Sequence, residues 1–225
     1  MITRPADLAP YLQHTLIAIG TTREEAIRHA EQAVEHGFDA AMVAGSCVQL
    51  TAEVLAGTGV KVASAVDFPT TGAMTTHGKA AEAAALARCG ATEIDIGVRI
   101  GALKDGDHRV FRRDIEEAVH ASGVPIKVML ELALLTADQK EVAVELAVEA
   151  GVAYVKNASS GSVEKASPES IRFLVERVPD HVGVKASGGI ATFEHANSLV
   201  DAGASLIGSS ACVDIVTGRQ GAGDY

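Results

Sequence analysis

Eight short runs of β-branched and other apolar residues recur along the chain, and longer stretches of helical composition separate them. They are Thr15–Ile17, Ala40–Ala44, Val60–Val66, Glu93–Val98, Ile126–Leu132, Ala153–Lys156, Val182–Ala186 and Ser205–Gly208. Most read as apolar on both faces, as strands of a covered parallel sheet do. The segments between them carry their own punctuation. Thr22-Arg23-Glu24-Glu25 is a capping box opening a helix that closes at Gly37. Thr76 to Arg88 stops at Gly90, Thr136 to Ala150 at Gly151, and Thr192 to Ala202 at Gly203. Ser167-Pro168 places a capping residue before a proline at the first helical position. Strand–helix alternation implies right-handed parallel crossovers. Eight units in 225 residues are about 28 residues each. That predicts an α/β chain folded as a compact (β/α)8 TIM barrel, one domain over 1–225, with an open doubly wound sheet as the alternative.

Composition narrows the function. The chain is 48% apolar with a net charge of −10, which excludes a disordered segment and argues against a binder of nucleic-acid backbone. Cys47, Cys89 and Cys212 are odd in number and widely spaced, as in a reducing compartment. The start of the chain lacks the charged and apolar regions of a secretion signal, and no apolar run is long enough to span a bilayer. A soluble cytoplasmic protein with no membrane partner is expected.

A TIM barrel places its chemistry at the C-terminal ends of its strands. There Lys156 closes Val152-Ala153-Tyr154-Val155, and Lys185 sits within Val182-Gly183-Val184-Lys185-Ala186-Ser187. A lysine on a parallel strand either points into the barrel or reaches out at its end. Two that meet in a desolvated site depress each other's pKa, and a neutral amine is what Schiff-base catalysis needs. An ordinary ion pair at a strand end is the plainer alternative. Asp95, between Ile94 and Ile96, needs a partner to be buried, and a lysine across the barrel would both pair with it and exchange protons through water. Lys127 and Glu131 are read as inner-barrel scaffolding.

Ser187-Gly188-Gly189-Ile190 follows one late strand and Gly208-Ser209-Ser210-Ala211 the next. Small residues there let backbone N–H groups approach a phosphate beside a helix N-terminus. The eight histidines form no ligand pattern, with His77 and His195 placed early in helices, so neither a metal nor a cofactor is expected.

Taken together these residues resemble the deoxyribose-phosphate aldolase family of class I (Schiff-base) aldolases. The resemblance covers nearly the whole chain. It runs through Phe68-Pro69, Thr75-Thr76, Lys79, Glu93-Ile94-Asp95 with Ile100-Gly101-Ala102-Leu103-Lys104-Asp105-Gly106-Asp107, Lys127-Val128-Met129-Leu130-Glu131, Leu134-Leu135-Thr136, Val155-Lys156, the Gly183–Ile190 stretch and Ile207-Gly208-Ser209-Ser210. It implies Lys156 as the Schiff-base lysine, Lys185 as the second lysine of a proton relay, and Asp95 as the aspartate acting through water. Gly188, Gly189 and Ser210, with Ser209 beside them, would hold the substrate phosphate. Tyr225, on a glycine-rich tail, matches a C-terminal tyrosine that some members fold into the site. The implied substrate is 2-deoxy-D-ribose 5-phosphate, a phosphorylated small molecule, and the implied assembly is a homo-oligomer, dimer or tetramer.

The chain departs from the family at particular positions. Gln13-His14-Thr15 replaces Asp-His-Thr, Met42-Val43-Ala44-Gly45 replaces Cys-Val-Asn-Pro, and Asn157-Ala158-Ser159-Ser160 before Gly161 replaces Thr-Ser-Thr-Gly. Ala211 stands where a second serine is usual. These changes leave open an aldolase on another aldehyde or ketone, or a barrel that binds a phosphorylated metabolite without Schiff-base chemistry.

Overall fold

The computed structural model describes residues 2–219 and Gly221. A 3-10 helical segment, Pro5–Tyr11, leads into β1 (Leu12–Leu16). Then follow α1 (Arg23–His36), β2 (Ala40–Val43), α2 (Val48–Leu55), β3 (Lys61–Val66), α3 (Thr76–Arg88), β4 (Glu93–Gly97), α4 (Ile100–Lys104) and α5 (His108–Ser122). The second half contains β5 (Ile126–Met129), α6 (Ala137–Glu149), β6 (Tyr154–Lys156), α7 (Pro168–Val175), β7 (Gly183–Ser187), α8 (Phe193–Asp201), β8 (Leu206–Ser209) and α9 (Cys212–Thr217). Each strand pairs in parallel with its successor, and β8 pairs with β1 through Leu12↔Ile207 and Gln13↔Gly208. That last pairing closes the barrel and rules out the open sheet.

The helix signals act as read. Thr22 and Glu25 form the capping box of α1, and Gly37 closes that helix in the left-handed conformation. Ser167 caps α7 with Pro168 at its first position. Six strands match expectation to within one residue at each end, and β1 and β5 differ by more. β1 begins at Leu12 and ends at Leu16, not Thr15–Ile17, because polar Gln13 and His14 lie within the extended segment. β5 stops at Met129, not Leu132, since Glu131 takes φ 51 and a 3-10 turn, Leu132–Leu134, follows.

The larger difference concerns the two faces of the strands. From β4 to β7 they alternate, and the alternation is inverted relative to a half-solvated sheet. Glu93 and Asp95, Lys127, Lys156 and Lys185 are buried on the axial side. Ile94, Ile96, Val128, Val155 and Val184 belong to the large apolar core beneath the helices. Neighbours along a strand point to opposite sides, so a buried charge and a buried aliphatic residue can adjoin in sequence. Leu8, Leu12, Phe111, Ile115, Ile171 and Leu199 complete the outer layer, each contributing about 1.5–3 kcal/mol on full burial. A separate small apolar cluster consists of Ala40, Met42 and Ala63, with Ala65 against it.

Candidate active site

Strand register brings the axial charges together. Lys156 on β6 is level with Lys185 on β7, and Asp95 on β4 with Lys127 on β5. Asp95 is completely buried, and its Oδ2 accepts from Lys185 Nζ at 2.7 Å and from Lys156 Nζ at 3.2 Å. Lys127 Nζ lies 3.3 Å from Oδ1 of the same carboxylate and 2.8 Å from Glu93 Oε1. Room for this cluster comes partly from Gly208: a methyl there would lie 3.0 Å from Lys185 Cε.

Burial sets the protonation of these groups, and the neighbours then divide them. Desolvation pushes the Asp95 carboxyl up, yet the ammonium groups of Lys185, Lys156 and Lys127 together hold it well below the usual carboxylate range. For Lys185, desolvation dominates and lowers the pKa to about 7, with Asp95 pulling it up and Lys156 and Lys127 pushing it further down. A lysine that exchanges its proton near neutrality can act as base and as acid in one cycle.

Gln13 extends the polar column along the axis. Its amide nitrogen donates to Asp39 Oδ2 at 2.8 Å and to Glu93 Oε1. Asp39 in turn pairs with half-exposed Lys61 at 2.6 Å. A neutral amide thus bridges two carboxylates that would otherwise repel. Lys127 is more than the scaffolding its sequence position suggests, since it touches both Glu93 and the central Asp95. Glu131 lies beyond the strand and accepts the N–H of Ser159 at 3.0 Å.

The late turns adopt the conformations that glycine permits. Gly188 has φ 113 and Gly189 φ 65. The loop after β6 packs on this turn: Ala166 N–H donates to the Gly188 carbonyl at 3.0 Å, and a methyl on Gly161 would sit 2.8 Å from Gly189 N. Ser209 is buried, donating to the Ile190 carbonyl at 2.6 Å and accepting from Ala211 N–H at 2.9 Å, so its hydroxyl holds the loop together. Ser210 is exposed beside it. Asn157 is buried and grips the backbone of Ser187 at both ends, accepting its N–H at 2.9 Å and donating to its carbonyl at 3.0 Å. Thus Lys156, Lys185 and Asp95 meet directly, whereas Gly188, Gly189, Ser209 and Ser210 line the turns after β7 and β8. Tyr225 lies outside the described residues. His195 Nε2 pairs with the Ala166 carbonyl at 2.8 Å, bracing the same loop, and His77 is exposed.

A second buried ion cluster escaped the sequence reading. Lys79 on α3 pairs with Asp114 on α5 and with Asp67 at 3.1 Å, and donates to the Gly97 carbonyl at the end of β4. Asp67 also accepts the N–H groups of Gly72, Ala73 and Met74. Only the resemblance singled out Lys79, because a lysine among alanines in a helix looks solvent-facing.

Comparison with known proteins decides the family. No family model matches the chain. A deoxyribose-phosphate aldolase from Brevibacillus brevis is 42% identical over 214 residues, 95% of this chain and 96% of the relative. The one from Thermococcus gammatolerans is 41% identical over 221 residues, 96% and 98% of the two chains. The chain belongs to the deoxyribose-phosphate aldolase family. A solved structure agrees in fold: the Aeropyrum pernix deoxyribose phosphate aldolase, described as tetrameric, superposes with a TM-score of 0.86 at 28% identity, covering 95% of this chain and 91% of that one. Within this deoxyribose-phosphate aldolase framework, Gln13 and Asn157 are not gaps. Each is a buried amide whose nitrogen donates twice: Gln13 to Asp39 and Glu93, Asn157 to the Ser187 carbonyl and to Glu164 Oε1. Among the described residues no helix is long and apolar enough to cross a membrane.

Proposed function

We propose that the chain is a class I aldolase that cleaves 2-deoxy-D-ribose 5-phosphate to acetaldehyde and D-glyceraldehyde 3-phosphate, with Lys156 as the imine-forming residue. The observation that carries this reading is the approach of Lys156 and Lys185 to a single oxygen of Asp95 inside the barrel. A purely binding protein has no use for such a desolvated lysine pair, and membership of the aldolase family supports the same chemistry.

The unprotonated Lys156 amine attacks the C1 aldehyde of the open-chain sugar to give a carbinolamine. Lys185 and Asp95 move the protons that let its hydroxyl leave as water, giving a protonated imine. A base removes the C3 hydroxyl proton and the C2–C3 bond breaks. Its electron pair passes to the imine nitrogen as an enamine, while C3 becomes the aldehyde of glyceraldehyde 3-phosphate. The enamine takes a proton at C2, and hydrolysis of the resulting imine releases acetaldehyde and restores the lysine. The Gly188–Gly189 turn and Ser210 hold the phosphate, whose charge needs local attraction in a chain of net charge −10. Tyr225 is proposed as a further proton donor, and a homo-oligomer as the working assembly.

Trapping with borohydride in the presence of acetaldehyde, followed by peptide mapping, tests the assignment. A reduced two-carbon adduct is expected on Lys156. An adduct on another lysine, or none, would overturn it.

A further inference from the structure

Ser187 ends β7 two residues after Lys185, on the same axial side of the strand. Its hydroxyl is fully buried and has no hydrogen-bond partner among the described residues. Its backbone is held by the paired bonds from Asn157, at 2.9 and 3.0 Å. Across the strand pair lies Gly208, whose missing side chain leaves a gap that Ser187 and Lys185 share: a methyl there would lie 2.5 Å from Ser187 Oγ and 3.7 Å from Lys185 Nζ. A buried hydroxyl usually finds a partner, because leaving one unpaired costs about 1–3 kcal/mol. Here the backbone is fixed, the hydroxyl borders the same gap as Lys185, and its bonding capacity is unused.

The geometry points to Ser187 as a substrate-binding residue that recognises a hydroxyl on the carbon chain between imine and phosphate. This rests on the aldolase reading above. A sugar joined to Lys156 and anchored at Gly188–Gly189 must pass Ser187, which lies between the lysine pair and that turn. Two hydroxyls occupy this part of the substrate. The C3 oxygen loses its proton during cleavage, so it must face groups that can accept one, such as Asp95 and Lys185. A serine hydroxyl is a poor proton acceptor but a good neutral hydrogen-bond partner. Its target is therefore the next hydroxyl, on C4, which becomes the C2 hydroxyl of glyceraldehyde 3-phosphate. Asn157 acts through Ser187 as a positioning residue, holding the strand end so that the hydroxyl keeps its aim.

Paired acceptors test this in the synthetic direction, with acetaldehyde as donor. Glyceraldehyde 3-phosphate carries the hydroxyl, and 3-oxopropyl phosphate lacks only that group. Ser187→Ala should lower kcat/KM about tenfold for glyceraldehyde 3-phosphate, the loss of about one hydrogen bond, and change it less than about twofold for 3-oxopropyl phosphate. Ser187→Cys keeps the shape but bonds weakly, and should shift the ratio of the two in the same direction. Melting temperature should not fall in Ser187→Ala, since an unpaired hydroxyl is removed. Equal losses on both acceptors, or no loss on either, would overturn the assignment. Borohydride trapping of acetaldehyde on Lys156 should persist in both variants. Absence of trapping in the unaltered protein would instead count against the aldolase reading.

Discussion

Lys156 and Lys185 occupy matched positions on adjacent parallel strands, and their ammonium groups approach the same oxygen of Asp95, at 3.2 and 2.7 Å. One carboxylate cannot fully compensate two buried cations. The arrangement therefore favours a state in which one amine has lost its proton.

The first consequence is a pH dependence. Lys185, lowered to about 7 chiefly by burial, is mostly charged below that pH and mostly neutral above it. As a proton acceptor it works in the neutral form, so kcat/KM should rise with pH through this region. Asp95 pulls the Lys185 pKa up, so Asp95→Asn should move the acidic limb to lower pH as well as reduce the rate. A pH–rate profile measured on both proteins checks this; a limb that stays in place or moves upward contradicts it.

The phosphate contact proposed for the Gly188–Gly189 turn predicts a different kinetic signature. Gly188 has φ 113, and a side chain there would run into the Glu164 carbonyl. Gly188→Ala should displace the turn and weaken a charge-assisted bond worth about 1.5–3 kcal/mol, raising KM for the phosphorylated sugar roughly tenfold or more. Activity on unphosphorylated 2-deoxyribose should change little. Steady-state kinetics with the two sugars separate this from a general loss of structure.

Lys79 offers a test of stability without chemistry. Its side chain is completely buried between Asp67 and Asp114. Lys79→Met leaves two carboxylates without their cation, which costs about 3–5 kcal/mol and roughly 6–20 °C in Tm. Calorimetry should show that drop, while turnover per folded molecule at low temperature should stay near that of the unaltered protein.

Acid should loosen the barrel through two stacked histidines. His14 on β1 and His29 on α1 have ring centroids 3.9 Å apart. Burial lowers their pKa values to about 4 and about 3; a hydrogen bond to Gln32 opposes the shift at His14 while His36 adds to it, and at His29 repulsion from His14 adds to the shift while backbone hydrogen bonds oppose it. Both folded values lie below the ordinary histidine value, so the unfolded chain binds more protons in acid. Stability from these groups is complete above about pH 6.5 and declines toward pH 4, by about 1.4 kcal/mol per histidine per pH unit. His29→Leu should flatten that decline in denaturant titrations between pH 7 and 5. An unchanged slope would rule the pair out as its source.

Much of this molecule could be read from the chain, because its signals are local. Capping residues at Thr22, Thr136, Ser167 and Thr192, with glycines after the helices, fix where helices start and stop. Lys156 and Lys185 stand out because charge at the end of an apolar run is costly. The inverted alternation was harder to see. The sequence points to a lysine partner for Asp95, but not to Glu93 or to Lys127 touching both carboxylates, since these groups meet only after the barrel closes. Ser187 was invisible for a related reason. A serine before two glycines looks like an ordinary turn residue until its neighbours across Gly208 and Asn157 are known. Lys79 was obscured in a helix whose partners lie 12 residues before it and 35 after it.

The axial column from Lys61 through Asp39, Gln13, Glu93 and Lys127 to Asp95 has one further implication. From β4 to β7 the barrel's interior is wired with charge, while the large apolar core that holds the protein together lies outside the strands. Reactivity and durability thus occupy separate shells of one molecule. A chain built this way can drift in what it transforms, by exchanging axial residues such as Gln13, while keeping the architecture that places them.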